Sequence, residues 1–315
     1  MNRHIDIKRF ALKYGIYIGF LGMIIVFSII IPRFFTVRNF INILNQYAYY
    51  LICSMGMFFV VLVGGVDLSN GGMIALAGVL GATVMVKTQN VILGCLVVVF
   101  VAVLGGILNG ISIAKIGMAP FIATLAFENI WRGSAFTLTS ATAVSGIPNV
   151  FTNINFMKIM GIRSATFIMI IVFLILFYTL HFTGYGKKLY AIGGNPVASK
   201  IVGIKVDAIV ISAYAICGTC TAIGTLILLV NTATGNPASA QNLALECIAA
   251  VIIGGASANG GEGKLIGAVI GALMFAMTKN GLNLLGLSYY YQLIVSGIVI
   301  YVVVALDRLR VKLGY

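Results

Sequence analysis

Long apolar runs separated by short polar breaks dominate this chain. The first runs from Tyr14 to Pro32 without a charge, and at 1.5 Å per residue it is long enough to cross a hydrocarbon core of about 30 Å. A cleaved signal peptide is the rival reading of that run. Its apolar core is too long for one, and no small-residue cleavage site follows. Further runs fall at about 46–65, 72–86, 91–114, 118–138, 164–183, 208–230, 244–258, 265–283 and 287–306. The pattern predicts an all-α polytopic membrane protein of about ten spans, with residues 1–315 forming one transmembrane domain and both termini on the same side. Continuous rather than alternating apolarity excludes a β-barrel.

Two polar segments are too long to be simple turns. Residues 139–163, rich in Ser, Thr and Asn, are predicted to form an outer loop, and residues 184–206, which are basic, an inner one. Within the inner loop, Asn195-Pro196 reads as a helix start, Asn at the cap and Pro at the first helical position. Gly203 is placed to end that helix in a left-handed conformation. A short helix lying on the cytoplasmic face is the expectation.

Composition supports the membrane reading: 61% of the 315 residues are apolar and only 9% charged, against about 25% charged in soluble domains. The net charge of +13 would suggest nucleic acid in a soluble chain. Here the basic residues lie at the ends of apolar runs, so no nucleic-acid partner is expected. Alternating the spans puts thirteen Lys and Arg inside and five (Arg33, Arg38, Lys87, Lys158, Arg163) outside, as the positive-inside rule requires. The five cysteines, including the pair in Cys217-Gly-Thr-Cys220, lie in apolar runs and read as packing residues rather than a redox or zinc site.

Glycine, 37 residues in all, recurs at spacings that let helices approach, as in Gly15-x-x-x-Gly19, Gly106-x-x-x-Gly110 and Gly267-x-x-x-Gly271. Another set interrupts apolar runs. Val61-Leu-Val-Gly-Gly aligns with Val251-Ile-Ile-Gly-Gly at an offset of 190, which is either biased composition or an internal duplication. Paired broken helices of that kind mark a transporter's substrate route.

Ionisable groups inside the membrane are functional candidates by default. Glu128 and Arg132 share a helix face and are expected to pair. Glu246 and Lys279 are expected to reach the interface, and Asp67, at the break between two spans, to sit at the cytoplasmic surface. With two histidines, His4 and His181, no catalytic constellation forms and the chain is not read as an enzyme. Gly261-Glu-Gly-Lys264 lacks the glycine and the hydroxyl that a phosphate loop needs at Ala258 and Leu265, so no cofactor is expected on this chain. A transport bundle without its own ATP site draws its energy from elsewhere.

Val63-Gly-Gly-Val-Asp67-Leu-Ser, Gly184-Tyr-Gly-Lys-Lys-Leu-Tyr-Ala-Ile-Gly-Gly-Asn195 with Ala198 and Gly203, and Gly281-Leu-Asn-Leu-Leu-Gly-Leu-Ser-Tyr-Tyr-Tyr-Gln292 occur in that order. On these segments the chain resembles the permease subunits of bacterial ABC importers for ribose and related monosaccharides. The resemblance implies a homodimer or heterodimer of permeases in the inner membrane and its lipid, ABC ATP-binding subunits below, and an extracytoplasmic sugar-binding protein above. By position, Gly194, Asn195, Pro196, Ala198 and Gly203 inherit coupling to the ATPase, while Asn195 also serves as an ordinary cap.

For the sugar pathway the candidates are Ser69, Asn70, Asn109, Phe127, Glu128, Asn129, Asn280 and Asn283, each of which also reads as an interhelical contact. Phe127 and Trp131 are placed either to stack on a sugar or to face lipid. The competing function is an ion-coupled secondary transporter of a small polar solute, with Glu128 as the ion site.

Overall fold

The computed structural model describes residues 7–159 and 161–312, with side chains described from Tyr17 to Tyr301 except Met160 and Tyr289. The basic clusters at the termini (Arg3, Lys8, Arg9, Lys13; Arg308, Arg310, Lys312) and Gly15 fall outside the described side chains. The regular structure of the described chain is almost wholly helical. The helices are α1 (Ile7–Ile30), α2 (Val37–Gln46), α3 (Ala48–Leu62), α4 (Asn70–Thr88), α5 (Val91–Ala114), α6 (Pro120–Thr139), the single turn α7 (Asn149–Thr152), α8 (Ser164–Phe182), α9 (Gly184–Gly194), α10 (Pro196–Ile201), α11 (Val206–Thr232), α12 (Leu243–Ile253), α13 (Leu265–Leu284) and α14 (Tyr289–Lys312). A small hairpin pairs β1 (Lys158–Ile159) with β2 (Ile162–Arg163).

Each predicted apolar run lies on a helix, but not each is a full crossing. Five of the described helices are long and apolar enough to span, and α2 with α3, bent by 57° at their junction, makes up to six. The expected span 244–258 shortens to α12, because Gly255 turns left-handed (φ +85°). Eleven residues reach about 16 Å, half of a bilayer core. Glu128 and Arg132 in the middle of α6 lower its mean hydropathy and buy buried contacts instead.

Helix α3 is the centre of the bundle, buried at nearly every position from Ala48 to Leu62. It packs against α8, α11, α12 and α13. The longest helix, α11, crosses α5 so closely that a Cβ at Gly106 would meet the Tyr214 carbonyl and the Gly218 backbone. Of the three Gly-x-x-x-Gly spacings, those on α5 and α13 mark such crossings, whereas a Cβ at Gly19 would meet only the Met274 methyl at 3.8 Å. Leu21, Ile25 and Ile29 on α1, Leu96 and Phe100 on α5, and Leu174 and Tyr178 on α8 are exposed. An apolar outer surface is what a lipid surround requires, with the helical backbone bonded internally.

The two interrupted spans have the same turn at their break. Gly64 N–H donates to the Val61 carbonyl (2.9 Å) and Gly65 N–H to Val60 (3.0 Å); Gly255 N–H donates to Ile252 (2.9 Å) and Ala256 N–H to Val251 (3.2 Å). Gly64, at φ +79°, and Gly255, at φ +85°, are the left-handed residues of these turns. These two glycines are 191 residues apart, so the turns fall one residue out of step with the 190-residue sequence match.

Candidate functional site

Helix α10 forms as its sequence directs. Asn195 is extended at the cap and its Oδ1 accepts from Ala198 N–H at 2.9 Å. Pro196 occupies the first turn, where an N–H would go unused. Gly203, at φ +83°, closes the helix, and Ile204 N–H returns to the Ser199 carbonyl at 3.0 Å. Ser199 is buried, while Val197, Ile201 and Val202 are 69%, 81% and 75% exposed. Val197 with Ile201, and Ala198 with Val202, lie one turn apart and present a single uncovered apolar face. Gly194, Asn195, Pro196, Ala198 and Gly203 are all exposed around it.

The helix before it, α9, ends directly on both broken spans. A Cβ at Gly193 would strike the Leu62 carbonyl and the Gly261 backbone, and Gly261 N–H donates to Leu62 O at 2.9 Å. Tyr190 donates its hydroxyl to the Gly263 carbonyl (3.0 Å), and the Tyr185 hydroxyl meets Ser212 of α11 (2.7 Å). Burial raises both phenols above their ordinary pKa, which keeps them neutral and hydrogen-bonding. The α9–α10 unit is thus seated on the point where the two interrupted spans touch.

The pathway candidates fall into three places. Ser69, Asn70 and Asn109 are wholly buried together with Asp67. Asp67 Oδ1 accepts from Ser69 N–H (2.9 Å), from the Ser69 hydroxyl (2.7 Å) and from Asn109 Nδ2 (3.3 Å), which also donates to Ser69 Oγ (2.7 Å). Asp67 is therefore not at a surface, contrary to expectation. Two donors from Ser69 and one from Asn109 of α5 converge on Oδ1, while Oδ2 is buried without a hydrogen-bond partner.

Glu128, Phe127 and Asn129 lie on α6. Arg132 Nε meets Glu128 Oε1 at 2.7 Å, as their spacing predicts. The pair does more than neutralise itself. Glu128 accepts from Gly72 N–H in the first turn of α4, and Arg132 donates to the carbonyls of Pro237 (3.2 Å) and Ser239 (2.9 Å). A carboxylate at that position also meets the positive end of the α4 dipole. Gly71 and Gly72 make the room, since a Cβ on either would run into this pair. Phe127 stacks on Trp131, ring centroids 5.2 Å apart, and Asn129 is on the exposed face of α6.

Asn280 and Asn283 share α13. Asn280 accepts from Asn39 Nδ2 (2.9 Å), joining α13 to α2, and Asn283 accepts from Gln292 Nε2 (2.7 Å), joining it to α14.

Glu246 and Lys279 do not reach separately for the interface. They pair with each other, Nζ to Oε2 at 2.6 Å, with Glu246 only 5% exposed. Burying one of them alone would cost far more than burying them joined. The signal was present, two opposite charges on successive apolar segments, but their meeting depends on how α12 folds back along α13. The four buried cysteines and the half-buried Cys95 are all free thiols.

Residues 39–304 match the family described as "Branched-chain amino acid transport system / permease component". The chain is similar to the ribose import permease protein RbsC of Bacillus subtilis (strain 168), 38% identical over 94% of this chain and 92% of that one. It is also similar to two proteins of Escherichia coli (strain K12): the D-allose transport system permease protein AlsC (33%; 95% and 93% covered) and the galactose/methyl galactoside import permease protein MglC (31%; 94% of each). No solved structure matches it.

Proposed function

Because the chain belongs to the family of branched-chain amino acid transport system permease components, matched from residue 39 to 304, we propose that it is the membrane permease of an ABC importer. Its cargo in this reading is a monosaccharide, since relatives aligned along more than nine-tenths of the chain are named for ribose, allose and galactose. It is a multi-pass transport component and not an enzyme; a separate ATP-binding subunit supplies the energy and an extracytoplasmic binding protein delivers the sugar. Two permease chains, identical or different, form the pathway in the inner membrane, with α10 and both termini cytoplasmic, as the Lys and Arg distribution favours.

The observation that carries this reading is α10: a capped helix whose apolar face, Val197, Ile201 and Val202, is uncovered, and which follows directly on α9, itself in contact with both broken spans. In alternating access a partner that grips α10 and changes shape moves α9 with it, and the breaks open to one side at a time. Coupling runs through Gly194, Asn195, Pro196, Ala198 and Gly203. The seven polar candidates near the breaks and on α6 and α13, together with Phe127, contribute to the path.

An ion-coupled transporter with Glu128 as its ion site finds less support, because Arg132 and Gly72 already occupy that carboxylate. Proteoliposomes separate the two. The importer reading expects ribose uptake only when the chain is assembled with an ATP-binding subunit, a loaded binding protein and ATP. Uptake by the chain alone under a proton or sodium gradient would refute it.

A further inference from the structure

Between α11 and α12 the backbone is irregular and descends into the bundle. A Cβ at Gly235 would meet Gly78 and Ala82 of α4, whereas the Ala240 carbonyl lies against Gly71 of the same helix. The segment therefore drops about 10–15 Å along α4. Irregular backbone at such depth is tolerated where protein covers it or where it lines a polar cavity. It does line one, of about 170 Å³, between its last residues, α3, α12, α13 and α14.

The cavity walls carry Gln241, Asn242, Glu246, Lys279, Gln292 and Ser296, with Tyr49 on one side. We propose that this cavity holds the translocated sugar, so that the Glu246–Lys279 pair and the surrounding amides take the place of the water its hydroxyls leave behind. The proposal rests on the monosaccharide reading above. A sugar hydroxyl both donates and accepts, and so do the Gln241 and Asn242 amides, while Gln292, whose Nε2 already gives two hydrogen bonds, offers its oxygen; Glu246 adds acceptors and Lys279 adds donors beyond the one it gives to Glu246.

Stability alone does not explain the pair. An apolar pair of similar size serves a buried helix contact as well or better, and this one faces a cavity with Glu246 at 5% and Lys279 at 24% exposure. Because the two charges cancel, the cavity suits a neutral polyol and gives no advantage to an ion. Gln292 is oriented by its bonds to Asn283 Oδ1 (2.7 Å) and the Leu287 carbonyl (3.3 Å). Asn283 thereby acts on the site through Gln292, as a positioning residue.

The test is thiol protection in the full chain reconstituted in nanodiscs. Ser296→Cys is made in a Cys95→Ser background, the other four cysteines being buried, and is labelled with a polar maleimide with and without D-ribose. Labelling is expected to slow by 1 + [L]/Kd, about tenfold at a sugar concentration ten times Kd, and not to slow with sodium chloride or glycine betaine. Adding Asn242→Leu is expected to abolish the protection. A rate unchanged up to the solubility limit of ribose, equal slowing by the controls, or protection that survives Asn242→Leu would each overturn the proposal. The outcome is independent of ATP-driven uptake by the assembled complex, whose absence would remove the importer reading while leaving the protection result standing.

Discussion

The amide of Gly261 donates to the carbonyl of Leu62 at 2.9 Å, so the loop of the second broken span is bonded to the end of the first. Gly193, at the end of α9, lies against that bond with no room for a side chain. The end of α9 therefore touches both breaks at once.

Gly193 and its neighbour Gly194 should respond oppositely to one methyl group. A Cβ at Gly193 meets backbone, while one at Gly194 meets nothing within 4 Å. Gly193→Ala is expected to destabilise the protein by about 1–3 kcal/mol through overpacking. Gly194→Ala should stay within about 0.5 kcal/mol. Thermal unfolding in detergent measures both.

At Asn195 the cap and the docking role can be separated. Asn195→Ala removes the acceptor for Ala198 N–H and should cost about 1 kcal/mol of α10 stability. Asn195→Asp restores a cap. If it also restores sugar-stimulated ATP hydrolysis in the assembled complex, capping is the whole contribution of Asn195; hydrolysis that stays low assigns the amide a contact with the partner.

The ten apolar runs, the Asn195-Pro196 start and Gly203 stop of α10, and the Glu128–Arg132 pair were legible in the sequence because each depends on residues within a few turns of one another. The burial of Asp67 is not legible from its own segment, because one of its donors, Asn109, comes from another helix. Glu246 and Lys279 were misjudged for a like reason, since their pairing follows from the fold of the α12–α13 hairpin and not from either helix alone. Which glycine of each pair carries the left-handed turn, Gly64 in one and Gly255 in the other, is set by how each helix ends and is not written in the glycine letters.

Removing either partner of the Glu128–Arg132 pair should be harsher than removing both. Glu128→Leu or Arg132→Met alone leaves a buried charge, at a cost of about 3–5 kcal/mol. The double variant should recover a large part of that loss, with some remaining because Gly72 N–H and the 237 and 239 carbonyls keep no partner. A double-mutant cycle on detergent melting temperatures reads the coupling; additive losses would show that the pair is not a unit.

Ala198→Glu places a charge in the apolar face of α10 and leaves the bundle untouched. Membrane insertion and melting temperature should hold while ribose uptake by the assembled importer falls at least about tenfold, the equivalent of about 1.4 kcal/mol. Uptake at the unsubstituted level would take α10 out of the mechanism.

The most direct measurement is made at Ile201, 81% exposed on α10. With Ile201→Cys as the accessible thiol, the account predicts that assembly with the ATP-binding subunit shields it from a water-soluble maleimide and that a short bifunctional reagent joins the two proteins there. A thiol that labels at the same rate in the assembled, transporting complex as in the free chain, with no cross-linked product, would contradict it.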